Sequence, residues 1–191
     1  MNFRKTIFCF FAIPTMLAFS QSELGLKSAG GHFGYCNPAN FGSTISFGPT
    51  AELGTLTKDL LVIADMDYYS TSEKVYGDFD NSLWDLSVNG ALKYIIPAND
   101  ARLHFLAGGG IGLHLISKTK SIPQYSYDNY YNYMSGIKKD TKTRFRLALL
   151  LEGGATFSIS PWIDLLGDLR YTIVSEANAL SIRFGLLYKL K

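Results

Sequence analysis

The sequence predicts an all-β protein: an eight-stranded antiparallel up-and-down transmembrane β-barrel behind an N-terminal cleavable signal peptide. Three observations lead there. Apolar and polar residues alternate with a period of two along eight separate stretches, which is the spacing of a strand with one greasy and one polar face. Short turn signals and longer polar connections take turns between those stretches, so the two ends of the structure are treated differently. The greasy faces also carry too many large side chains to fit inside an eight-stranded barrel, whose interior is only wide enough to be filled by side chains.

Residues 1–20 read as an export leader. Arg4 and Lys5 form a positive head, Ile7 to Ala18 an apolar core broken by Pro14, and Ala18-Phe19-Ser20 a small-x-small cleavage pattern before Gln21. Residues 21–191 are then one barrel domain. Without the leader, 16 basic residues stand against 16 acidic ones, a balance that gives no reason to expect nucleic acid as a partner. Cys36 is the single cysteine left; no internal disulfide can form, and it reads as a loop-end thiol without a role.

The elements follow in order. Glu23 to Tyr35 is strand-like and glycine-rich, with a loop from Cys36 to Gly42. Thr44 to Leu56 alternates Ile45, Phe47, Ala51 and Leu53 against Thr44, Ser46, Thr50 and Glu52, and Pro49 within it predicts a bulge, since proline cannot donate to a ladder. After the turn 57–59, Leu60 to Ser70 sets Val62, Met66 and Tyr68 against Asp65, Asp67 and Tyr69. A loop is predicted over Thr71 to Ser82, then a strand from Trp84 to Ile96 with Asp85 and Lys93 on its polar face, and a turn at 97–100. Arg102 to Ile116 opposes Phe105, Ile111 and Leu113 to His104, Gly108, Gly110 and His114; its glycine triplet reads as room to bend a strand, not as a phosphate loop, because no helix follows. Ser117 to Lys142 is the longest aperiodic stretch, a loop bearing Tyr125, Tyr127, Tyr130, Tyr131 and Tyr133. Arg144 to Ile159, the turn 160–162, Ile163 to Val174 and the loop 175–178 lead to the last strand, where Leu180, Ile182, Phe184, Leu186, Tyr188 and Leu190 occupy every second position.

Energetics decide which face looks out. An Arg or Lys facing lipid at mid-bilayer costs about 2–4 kcal/mol. Parity places Arg146, Arg170 and Arg183 inward, with Glu52, Asp65, Asp67, Asp85, Lys93, Glu152 and Asp168. These ten form a predicted lumen charge network in which opposite signs compensate one another. Tyr94, Phe157, Trp162 and Tyr188 near the short turns, with Tyr68, Trp84, Phe145 and Tyr171 nearer the loops, suggest two interfacial girdles.

Across residues 23–191 this layout resembles the small outer-membrane barrels of Gram-negative bacteria, the OmpA transmembrane domain and OmpX group. The chain finishes Tyr188-Lys189-Leu190-Lys191 where that group usually finishes on an aromatic residue. The resemblance implies an outer-membrane location, lipid and the β-barrel assembly machinery as partners, and a monomer. The expected function is non-enzymatic: a plugged scaffold whose extracellular loops, 117–142 above all, meet a ligand, since tyrosine gives large amphipathic contact area at low entropic cost. A small-solute pore is the alternative, disfavoured by the filled lumen. A lipid-modifying enzyme is the other, and His104 and His114 share a face but lie about 33 Å apart along their strand, with no acidic partner visible nearby. The scattered histidines predict no metal site or cofactor, and Asp65-x-Asp67 reads as an ion-pairing element and not a cation site.

Overall fold

A computed structural model describes residues 23–76, 79–128, 131–175 and 177–190. The leader assigned to residues 1–20 lies outside the described residues, as does Tyr130. Eight strands follow one another as β1 (Glu23–Pro38), β2 (Thr44–Thr57), β3 (Leu60–Tyr76), β4 (Phe79–Pro97), β5 (Leu103–Asp128), β6 (Tyr131–Ser160), β7 (Ile163–Val174) and β8 (Ala179–Lys189). Each pairs antiparallel with the next, and β8 pairs with β1 to close the barrel.

Register fixes the shape of the ring. Paired residues lead from Ser28 through Glu52, Ile63, Ala91, Gly110, Leu150, Thr172 and Ala179 back to β1 at Pro38, ten residues beyond the start. Ten residues of strand are about 33 Å of stagger, gathered over eight strands about 4.8 Å apart, so the strands tilt by about 40°. Such a ring is narrow, and its interior fills with side chains.

The faces fall as the parity of the sequence requires. Along β8, Ser181 and Arg183 are buried while Leu180, Ile182, Phe184, Leu186 and Tyr188 stand on the outer wall; Arg183 is 2% exposed and Phe184 55%. The aromatic residues Tyr68, Tyr94, Phe145, Phe157, Trp162, Tyr171 and Tyr188 are all on that outer wall.

Four expectations are corrected. The stretches 71–82 and 117–142 are not loops: β3 and β4 are laddered to Tyr76 and Phe79, and β5 and β6 to Asp128 and Tyr131. Alternation fades there because described neighbours on opposite faces, Glu73 and Lys74 or Lys138 and Lys139, are exposed alike, while the ladder itself persists. Pro49 makes no bulge, because pairing with β3 keeps one register from Phe47 to Thr50; the irregularities fall at Glu52, Thr55 and Thr57, beside Gly54 at a φ of 86°. Cys36 sits within β1, buried against its neighbours. The lumen, finally, is not polar throughout. Cys36, Tyr69, Leu83, Ile116, Ala148, Val174, Ala177 and Ala179 form an apolar layer towards the end that carries the β5–β6 hairpin. Leu106, Leu166 and Leu187, with Leu61 and Ile95, form another towards the short turns.

Candidate functional site

Between the two apolar layers lies the charged centre that parity predicted. Arg183 of β8 grips Asp168 of β7 with two parallel bonds, Nε to Oδ1 and Nη2 to Oδ2, both 2.7 Å, and its Nη1 donates to Asp67 Oδ2 on β3 at 3.1 Å. Arg170 Nη1 donates to Asp65 Oδ1 at 2.9 Å and to Asp67 Oδ2 at 2.7 Å, its Nη2 pairs with Asp65 Oδ2, and its Nε lies 2.6 Å from Glu152 Oε1. Lys93 Nζ joins Glu152 at 2.5 Å to Asp168 at 2.9 Å. Fork geometry of this kind is what allows ion pairs to survive burial.

Seven of the ten predicted lumen residues therefore meet in one network. The other three stand apart. Glu52 accepts a bond from Ser28 Oγ at 2.6 Å nearer the short turns. Asp85 and Arg146 lie nearer the hairpin, Asp85 holding His114 Nδ1 at 2.7 Å and Arg146 facing His114 across the ladder. Asp85 is the acidic partner of His114 that sequence reasoning missed; it belongs to the neighbouring strand β4 and shares His114's parity, which is the signal that would have found it. His32 was missed as a network member for the same reason: its Nε2 lies 2.6 Å from Asp67 Oδ1 and its Nδ1 2.6 Å from Thr50 Oγ1. His104 pairs across the ladder with Thr156, well away from His114. Asp65 and Asp67 serve as ion-pairing residues, and no cluster of metal-ligating side chains occurs among the described residues.

Strand β5 gives the centre space instead of charge. Gly108 pairs with Lys93 on one side and Glu152 on the other, so the two meet across a position without a side chain. A Cβ there would run into the backbone of Leu92 and Lys93. The glycine run thus admits an ion pair, a more specific role than bending the strand.

At the other functional candidate, the hairpin, strand lengths tell the story. β5 and β6 have 26 and 30 residues, whereas β7 and β8 have 12 and 11. Pairing of β6 with β7 stops at Ala148, and pairing of β4 with β5 stops at Thr119. Beyond those points the ladder among the described residues joins β5 to β6, as a ribbon projecting from the barrel, with Ser121 still bonded to Asp80 and Asn81 of β4 at its base. Tyr125, Tyr127, Tyr131 and Tyr133 lie on the strand backbone near its tip, Tyr125 paired with Met134 and Tyr127 with Asn132.

The model of a protein family, described as the outer membrane protein beta-barrel domain, matches residues 6–189. The chain belongs to that family. This outer membrane beta-barrel is accordingly a protein of the Gram-negative outer membrane. Among solved structures it is similar to Ail, the attachment invasion locus protein of Yersinia pestis, at 12% identity over 86% of this chain and 99% of that one, with a TM-score of 0.50. A second structure of Ail, in complex with the heparin analogue sucrose octasulfate, has a TM-score of 0.51 at 12% identity over 89% and 99% of the two chains. The N-terminal beta-barrel domain of Pseudomonas aeruginosa OprF has a TM-score of 0.50 at 10% identity over 87% and 99%. At such identity the likeness is one of fold. No curated protein matches the chain.

Proposed function

We propose that this outer membrane beta-barrel is a non-enzymatic surface-contact protein, exported by a leader at residues 1–20, inserted by the barrel assembly machinery and acting as a monomer. In it the barrel is a sealed pedestal, and the β5–β6 ribbon meets a ligand outside the cell. The observation that carries this reading is the contrast between a lumen closed by two apolar layers around an ionic centre and a ribbon extended far beyond its neighbouring strands. A filled lumen leaves no path for solute. The Asp85–His114 pair resembles half of a catalytic relay, yet it lies buried inside the barrel beneath the hairpin-side apolar layer, where a lipid substrate has no approach.

Two measurements test the reading together. Excising residues 121–139 and rejoining Lys120 to Asp140 through an Asn-Gly turn is expected to abolish adhesion of expressing cells to host cells or matrix, while the heat-modifiable gel mobility of the folded barrel is kept. In planar bilayers the intact protein is expected to give no large, steady conductance. Unchanged adhesion after excision, or a stable open channel, refutes the proposal.

A further inference from the structure

Between the ionic centre and the hairpin-side apolar layer, the lumen keeps a small polar chamber. Ser46, Tyr69, Asp85, Asn89 and His114 line it together with Arg170. Tyr69 and Ala179 belong both to its lining and to the apolar layer, so that layer stands between the chamber and the mouth. The chamber offers about 20 Å³ to the centre of a water molecule, and about 10–15 Å³ suffices to hold one.

Its lining gathers polar atoms that folding has taken from solvent without a replacement. Ser46 Oγ, Tyr69 Oη, Asp85 Oδ1, Asn89 Oδ1 and His114 Nε2 are buried and find no hydrogen-bond partner among the described residues. A buried polar atom left so carries its full desolvation cost. Register brings these atoms together: Ser46 pairs with Tyr69 and Tyr69 with Asp85 across β2, β3 and β4, while Asn89 pairs with Gly112 and Ser87 with His114. A Cβ at Gly112 would strike Asn89 Oδ1 and stand 3.0 Å from His114 Nε2, so glycine leaves both atoms facing one space. Their roles are set from behind. Asn89 Nδ2 donates to Asp65 Oδ1 at 2.9 Å and to Ser87 Oγ at 3.1 Å, which turns Oδ1 to the chamber. His114 Nδ1 meets the acceptor Asp85 Oδ2 at 2.7 Å, so Nδ1 carries a proton and Nε2 is left for the chamber.

We propose that this chamber binds one water molecule, which bridges Asn89 Oδ1 and His114 Nε2 and takes the hydroxyls of Ser46 and Tyr69 into the same cluster. Through Asn89 the water joins the Asp85–His114 pair to Asp65 and Arg170, so the pair that stands apart by direct contacts becomes part of the ionic centre. The site is independent of the surface-contact reading. Chemistry selects the occupant. Asp85 Oδ1 and Asn89 Oδ1 only accept, the two hydroxyls give or take, and water brings two protons and two lone pairs to such a mixture. A monovalent cation would stand beside the guanidinium of Arg170, and an anion beside the carboxylates of Asp67 and Asp85. An organic ligand needs a pocket of about 300 Å³ or more.

Ser46→Ala and Tyr69→Phe each delete a hydroxyl that has no partner among the described residues. On protein contacts alone such a change is neutral or stabilising. With the water bound, each is expected to raise the unfolding equilibrium constant about fivefold in urea, measured on the full mature chain in phosphatidylcholine vesicles. The double variant is expected to fall short of the product of the two, because both changes act on the same molecule. Unaltered heat-modifiable mobility establishes that the variants are folded. A crystal structure of the parent is expected to show ordered density within hydrogen-bond reach of Asn89 Oδ1 and His114 Nε2, and that of the double variant to show it weakened or gone. Parent-like or greater stability of both single variants, losses that multiply in full, or a parent crystal without that density overturns the proposal. Crystals grown with rubidium in place of sodium separate water from a cation: an anomalous peak in the chamber refutes water.

Discussion

Replacing Arg183 with leucine puts the ionic centre to a quantitative test. The centre sets four carboxylates, Asp65, Asp67, Glu152 and Asp168, against three fixed cations, Lys93, Arg170 and Arg183. Arg183 supplies three short charge-assisted bonds from a side chain 3% exposed. Arg183→Leu removes them and leaves four carboxylates facing two cations; breaking a buried pair on one side costs about 3–5 kcal/mol. Asp168→Leu alone strands Arg183 and Lys93 in part and is expected to cost a similar amount. Together the two changes restore the original difference of one between carboxylates and cations, so the double variant is expected to fall short of the summed single losses by about 2 kcal/mol or more. Urea unfolding in phosphatidylcholine vesicles measures all three, with heat-modifiable gel mobility and the fluorescence of Trp84 and Trp162 as independent probes. Additive losses, or a loss below about 1 kcal/mol for Arg183→Leu, refute the claim that the centre is a coupled network.

Gly108→Val is expected to drive a side chain between Lys93 and Glu152 and into the β4 backbone, lowering the fraction of folded, heat-modifiable protein well below that of a Gly25→Val control, whose added Cβ meets nothing. On the outer wall, Phe184→Arg is expected to destabilise the barrel by about 2–4 kcal/mol in the same urea assay, and Phe184→Leu by far less; equal effects would contradict a lipid-facing position. Truncating the hairpin-side layer with Leu83→Ala is expected to cost about 2–5 kcal/mol through the cavity it leaves. In the turn between β4 and β5, Arg102 bonds Asp100 and holds its carboxyl below the usual aspartate range. What the pair adds to that turn is present above the ordinary aspartate pKa and fades as pH falls through the depressed one. Arg102→Ala is expected to move the Asp100 titration upward in a carboxyl-detected NMR experiment.

Parity alone made the barrel legible. Arg170, Arg183, Asp65, Asp67 and Asp168 could be set inside from the sequence because each sits one step from a large apolar neighbour that lipid accepts and a narrow lumen cannot. Partnership was not legible in the same way. Which carboxylate meets which cation depends on stagger, and stagger is summed over every strand; hence Asp85 and His114 were read on separate strands and not as a pair. The ribbon was hidden for a different reason: period-two alternation reports a difference between two environments, and none of residues 121–124 and 136–139 is buried on either face. Leu106, Leu166 and Leu187 were concealed by the opposite assumption, that everything on the inward face would be polar.

One carboxylate carries a consequence for biogenesis. Asp67 on β3 takes His32 from the first strand on one oxygen and Arg183 from the last strand, together with Arg170, on the other. The two strands that form the seam are thus latched by a third strand that touches neither in the ladder. A sheet still open at that seam keeps Asp67 and His32 near one edge and Arg170 and Arg183 at the other, so the arginines neutralise the acid only as the ring closes. Until the latch engages, the inner surface has to stay wet, and the leucine stoppers at each mouth expel water only after the circle is complete.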